Sequence, residues 1–133
     1  MTEKSEKYLI DSNIIIYHLN DENIATEFLR RNIKYSYISR ITFIEVLSFD
    51  FTKDEKEKVL NLLRMFKIID TTDTIAMRAI ENREIKKIKL ADNIIASTAQ
   101  VDDLILVTKN TKDFNGLNHW CPTVEKNYPC NAQ

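Results

Sequence analysis

The stretch "LILVT", Leu104 to Thr108, decides the fold. Four branched aliphatic residues in succession, too few for a helix and free of glycine and proline, read as a central strand buried on both faces. Working outward, shorter runs of the same kind occur in "KYLI" (Lys7–Ile10), "YSYIS" (Tyr35–Ser39) and "KIID" (Lys67–Asp70), with a last short strand expected in "PTVEK" (Pro122–Lys126). Between them lie segments of helical period. "NIIIYHL" has Asp11 or Ser12 as its N-cap, and "ENIATEFLRRN" follows. A helix begins after Ser39. "KDEKEKVLNLLRMF" carries the stripe Val59, Leu60, Leu63 and Phe66. "TTDTIAMRAIENREIKKI" is expected to be one long helix from a cap at Thr71, Thr72 or Asp73, and "LADNIIASTAQV" is a small-residue helix. Strands alternating with helices predict an α/β sandwich with a mainly parallel sheet, in a single domain spanning residues 1–133.

Composition narrows the classes. A chain of 133 residues, 44% hydrophobic and 29% charged, is an ordinary globular domain. Its apolar runs fall short of the roughly 18 residues of a membrane span, and the start lacks an extended apolar leader, so no membrane role and a cytoplasmic location are expected. Two late cysteines are read as reduced thiols, and His119, Cys121 and Cys130 lack a fourth zinc ligand at recognisable spacing. A net charge of −1 argues against coating nucleic acid by bulk electrostatics. Local clusters remain: Arg83, Lys86, Lys87 and Lys89 precede Asp92, and Lys109 and Lys112 flank Asp113. These lysines are candidate RNA contacts, although solvated helix faces are the commoner reason for such runs. There is no repeat or low-complexity tract, and one glycine leaves little room for a hinge.

The chemistry starts from "RITFIEVLSF", Arg40 to Phe49, where Glu45 has apolar neighbours in nearly every helical direction. An ionised carboxylate buried there must find a cation such as Arg40, take up a proton, or open onto a cavity. In open parallel sheets functional sites gather beyond the carboxyl ends of the strands. Asp11 ends the first strand, Thr108 to Asp113 follow the central one, and Glu45 and Asp92 lie early on helices, so the four acids can converge. Each has an ordinary explanation alone: a cap for Asp11, helix-dipole complementation for Asp92, a turn for Asp113. Together they would repel and raise one another's pKa unless a divalent cation neutralises them. An oxygen-only set suits Mg²⁺ or Mn²⁺, which also binds phosphate oxygens, and that points to phosphodiester hydrolysis.

Four blocks in order, "LIDSNIIIYHL", "SRITFIEVLS", "KLADNIIASTA" and "LILVTKNTKDF", resemble the acidic motifs of PIN-domain ribonucleases, most closely the small VapC-type toxins of toxin–antitoxin systems. The resemblance implies a three-layer α/β/α sandwich and metal-dependent endoribonuclease activity on structured RNA such as tRNA or rRNA. It assigns Asp11, Glu45 and Asp92 as principal acids and Asp113 as the more variable fourth, all as catalytic and metal-holding residues. Asn13 and Thr108 take flanking polar positions, with Asn110 a further candidate. The apolar surroundings of Glu45 would then hold it rigidly in the floor of a metal site. The expected reaction is in-line attack of an Mg²⁺-activated water on the scissile phosphate, oriented by Asp92 or Asp113, while His18 and His119 are structural or surface residues. A cognate antitoxin and a homodimer are implied as partners, with "ATEFL" and "VLNLLRMF" as candidate apolar surfaces. The loop "REIKKIKLAD" lacks a glycine many relatives carry before the third acid, and the sequence after Gly116 matches only loosely. Two rivals stand beside this reading. One is a catalytically inactive PIN-like module that binds RNA or protein. The other is a phosphatase with an aspartyl nucleophile, whose usual second Asp is Asn13 here.

Overall fold

A computed structural model of the chain describes residues 6–117 and the backbone of 120–122. Five strands, β1 (Tyr8–Ile10), β2 (Ser36–Ser39), β3 (Lys67–Ile69), β4 (Ile105–Thr108) and β5 (Trp120–Pro122), form one sheet in the order β3-β2-β1-β4-β5. Every pairing is parallel, with Leu9 opposite both Tyr37 and Leu106. The helices are α1 (Ser12–Leu19), α2 (Asn23–Asn32), α3 (Arg40–Leu47), α4 (Lys53–Leu63), α5 (Asp73–Ile85), α6 (Leu90–Val101) and the short α7 (Thr111–Phe114).

The pleat sorts the core into two layers, because successive residues of a strand face opposite sides. Tyr8, Ile10 and Val107 pack with Ile14, Ile15, Phe28, Val46 and Leu63 from the first four helices. Leu9 and Leu106 pack on the other face with Ile95, Ala96 and Ala99 of α6 and Phe114 of α7. The result is the three-layer α/β/α sandwich, with its topological switch between β1 and β4. Caps set the helix starts: the Asp11 carboxylate accepts from Ser12 N, Ser39 Oγ accepts from Ile41 N, and Thr52 with Glu55 forms a capping box.

Several expectations change. The helix α5 stops at Ile85 rather than reaching Ile88, because Lys86 turns extended and Ile88 is buried beside Ile95 on the sheet. The last strand begins at Trp120, ahead of "PTVEK", of which residues 123–126 lie outside the described part. His119 and Cys130 also lie outside it, while Cys121 sits in β5. The stripes offered as partner surfaces serve mainly as core, the commoner reason for such stripes: Ala25, Phe28, Leu29, Val59, Leu63 and Phe66 are buried, while Met65 stays exposed. The large apolar side chains left exposed include Met77, Ile80, Ile85 and Leu90, on α5, α6 and their surroundings. Among the described residues no helix is long and apolar enough to cross a membrane.

Candidate active site

The switch between β1 and β4 places Asp11 and Thr108 side by side at the carboxyl edge of the sheet. Asp11 is buried, and each carboxylate oxygen is occupied. Oδ1 accepts from Ser12 N at 2.7 Å, and Oδ2 accepts from Thr108 Oγ1 at 2.6 Å. The Thr108 hydroxyl accepts in turn from Asn110 N at 2.9 Å and from Asn13 Nδ2 at 3.4 Å. Asn13 Oδ1 accepts from Lys109 N at 3.3 Å. Asn13, Thr108 and Asn110 therefore form a polar brace that ties the start of α1 to the loop after β4 and fixes the Asp11 carboxylate.

Asp92 lies in the first turn of α6, a helix whose N-cap, Lys89, makes no side-chain capping bond. Behind it stands Asp113 in α7, whose Oδ2 accepts from Asn110 Nδ2 at 3.0 Å while its carboxyl shares a hydrogen bond with Asp92. Glu45 comes from α3 and takes a short hydrogen bond from the Ser12 hydroxyl. Electrostatics registers the crowding. Burial, opposed by the Thr108 and Ser12 hydrogen bonds and reinforced by Asp92 and Glu45, pushes Asp11 up to about 6. Burial followed by the charges of Asp113 and Glu45 pushes Asp92 up to about 6 as well, with Lys89 opposing.

The four predicted acids thus meet in one place. Asp11, Glu45 and Asp92 line a cavity of about 640 Å³ together with Ser12, Asn13 and Asn110, while Asp113, outside the lining, hydrogen-bonds Asp92. Of the three outcomes open to Glu45 in the sequence, it takes the cavity. It is half-buried rather than enclosed, because Ile44 and Phe49 are exposed at the cavity wall, and Arg40 pairs with Asp70 instead of with Glu45.

The donors are all oxygens, which suits a hard divalent cation, and two carboxyls held near 6 signal negative charge in want of a counter-ion. Among the described residues no three Asp, Glu, His or Cys side chains stand close enough to enclose an ion by themselves. That agrees with the way Mg²⁺ binds, through one or two carboxylates with water and substrate phosphate completing its octahedron.

The five lysines divide. Lys109 is committed within the protein: its ammonium bonds Glu22 Oε2 at 2.8 Å and lies 4.1 Å from the centre of the Tyr17 ring. Lys86 donates to the carbonyls of Lys112 and Asn115, stapling α7 to the end of α5. Lys87, Lys89 and Lys112 are exposed. Sequence reasoning missed a buried amide network behind Asp92. Asn82 Nδ2 reaches Asn93 Oδ1, Ser97 Oγ and Gln100 Oε1, and Asn93 Nδ2 donates to Ala79 O, which locks α6 onto α5. The available signal was four amide or hydroxyl residues on two otherwise apolar helix faces.

Compared with known protein families, residues 8–118 match the PIN domain. The chain belongs to the PIN-domain family. Within it, this PIN domain is 34% identical over 113 residues to Ribonuclease VapC10 of Mycobacterium tuberculosis, covering 80% of this chain and 84% of that protein. It superimposes on a chain of a toxin–antitoxin complex from Klebsiella pneumoniae with a TM-score of 0.80 at 32% identity, covering 90% of this chain and all of that one. A VapBC complex from Salmonella typhimurium solved bound to DNA shares the fold, with a TM-score of 0.74 at 20% identity over 87% of this chain and 96% of that one.

Proposed function

We propose that the chain is the ribonuclease toxin of a toxin–antitoxin pair, and that its acid cleft hydrolyses phosphodiester bonds in structured RNA with the help of Mg²⁺ or Mn²⁺. The observation that carries this reading is the meeting of Asp11, Glu45, Asp92 and Asp113, from four separate segments, at the switch point of the sheet. The likeness to a VapC ribonuclease and to the toxin–antitoxin chain from Klebsiella supports the activity and the antitoxin partner. Asp11 and Asp92 are the residues to hold the ion, with Glu45 beside them. When bound, the divalent ion neutralises the carboxylates and the phosphate and stabilises charge that develops on the phosphoryl oxygens.

The chain's own residues do the rest. The Thr108 brace holds the Asp11 carboxylate in one orientation, so no reorganisation is needed when substrate arrives. Asp92, with Asp113 behind it, orients the attacking water and takes its proton at a carboxylate oxygen. Ser12 fixes Glu45 at the cavity edge. A homodimer is part of the same proposal, with the exposed Met77, Ile80, Ile85 and Leu90 as the apolar face for a second copy, and light scattering of the purified chain should read a doubled mass. The activity is tested with antitoxin-free protein on total host RNA in Mg²⁺, in Mn²⁺ and in chelator. Discrete fragments that vanish with chelator support it. Uncut RNA from folded protein in every condition turns the reading to the inactive binding module.

A further inference from the structure

The acids use only part of their cavity. An octahedral ion with six waters occupies roughly 180 Å³ at about 30 Å³ per water, whereas the cavity holds about 640 Å³. The remaining space is walled by apolar and aromatic side chains. On α1 the line runs from Asn13 to Ile16 and Tyr17, and beside it Phe49 follows Glu45 by four residues, just past the end of α3. On α1, Tyr17 lies four residues, about one helical turn or about 5.4 Å of rise, from Asn13, and Phe49 joins it in the same lining.

Two of these side chains are unusually open for their size: Phe49 is 52% exposed and Ile44 53%. Phe49 is not loose, because its ring stacks on Phe51 at 6.2 Å and 26°. Tyr17 is likewise held, with the Lys109 ammonium over its ring and Lys109 anchored by Glu22. Rigid aromatic faces next to a phosphate-binding centre are the elements of a base-stacking platform. A duplex keeps its bases stacked on one another, so such a platform selects unpaired nucleotides.

We propose that the Phe49 side of the cavity is a nucleobase subsite, where an unpaired base flanking the scissile phosphate stacks on Phe49 against Ile44 and Tyr17. It rests on the nuclease reading above and deepens it by giving that site a base-binding position at Phe49. Charge complementarity favours this occupant: the phosphate goes to the acid end, where a bound divalent ion would meet it, and the neutral base to the apolar end.

The test uses a short unpaired oligoribonucleotide carrying 2-aminopurine, with wild type, Phe49→Ala and Phe49→Trp, read by fluorescence in Ca²⁺ and by cleavage in Mn²⁺. The expected result is quenching of 2-aminopurine by wild type, its loss in Phe49→Ala, and its recovery in Phe49→Trp. Affinity falls by about 5- to 150-fold in Phe49→Ala, the range for losing one stacked base, and the loss appears in KM rather than kcat. Melting temperature stays within a few degrees, since Phe49 is half-exposed. Equal quenching, affinity and KM in wild type and Phe49→Ala would overturn the subsite. So would loss of binding to a purified antitoxin without any change towards RNA, which would assign the face to protein. Quenching without cleavage by wild type would instead count against the nuclease reading and leave the base subsite standing.

Discussion

Asp11→Asn separates the electrostatic cost of the acid cleft from its architecture. In the metal-free protein the Asp11 carboxyl stands at about 6, against an ordinary value of 3.8. A carboxyl whose pKa rises on folding contributes stability that is fully present below the unfolded value and is lost as pH rises through the folded one. Between pH 5 and pH 7.5 the loss is about 1.4 kcal/mol, one pH unit of titration at 1.36 kcal/mol each. Glu22, Glu27 and Asp70, whose pKa values are lowered by Lys109, by Arg30 and Arg31, and by Arg40, finish titrating at lower pH and add only a constant in this window. Asparagine keeps the cap on Ser12 N but turns a donor towards Thr108, a fixed cost of about 1–2 kcal/mol at all pH. The stability of wild type relative to the variant, measured by denaturant titration with chelator present, therefore falls by about 1.4 kcal/mol from pH 5 to pH 7.5. Adding Mg²⁺ or Mn²⁺ at 100 times its dissociation constant at pH 7.5 restores about 2.7 kcal/mol to wild type and far less to the variant. Parallel pH curves for the two proteins, or equal stabilisation by metal, would refute the reasoning.

Other consequences concern the surroundings of the site. Asn82→Ala strands the polar groups of Asn93, Ser97 and Gln100 and should cost about 2–3 kcal/mol in chemical denaturation, with cleavage falling because α6 carries Asp92. Thr42 Oγ1 is buried with no hydrogen-bond partner, so Thr42→Val should raise stability by about 1 kcal/mol in the same assay. Changing Lys87, Lys89 and Lys112 together to Gln should flatten the log–log salt dependence of RNA binding by about 2 if all three meet single-strand phosphates, at about 0.7 per contact. An unchanged slope would leave them as solvated surface.

Much of the fold was legible because it rests on local period and caps. Leu90–Val101 was bounded correctly by its small apolar face, and Asp11, Ser39 and Thr72 cap the helices they precede. The end of α5 was not legible, since Lys86 and Lys87 are good helix formers and only the pull of Ile88 into the sheet core breaks the run. The acids could be found from their places after strands. Their environment could not. Glu45 looked enclosed because Ile44 and Phe49 count as core residues in a helical projection, whereas the fold spends them on a cavity wall. Lys109 looked like a free cation, and its partners Glu22 and Tyr17 lie about ninety residues away in sequence. The Asn82 network depends on the register of two helices, which no single-helix pattern carries.

The central claim is that Asp11, Glu45, Asp92 and Asp113 act as one centre. Its most direct test is single-turnover cleavage of a mapped host RNA fragment by wild type, Asp11→Asn, Glu45→Gln, Asp92→Asn and Asp113→Asn, each verified as folded and RNA-binding. Losses of more than about 100-fold are expected for Asp11, Glu45 and Asp92, a smaller loss for Asp113, which lies outside the cavity lining, and fragment ends unchanged wherever cleavage survives. Near-wild-type cleavage by Asp11→Asn or Asp92→Asn would contradict it.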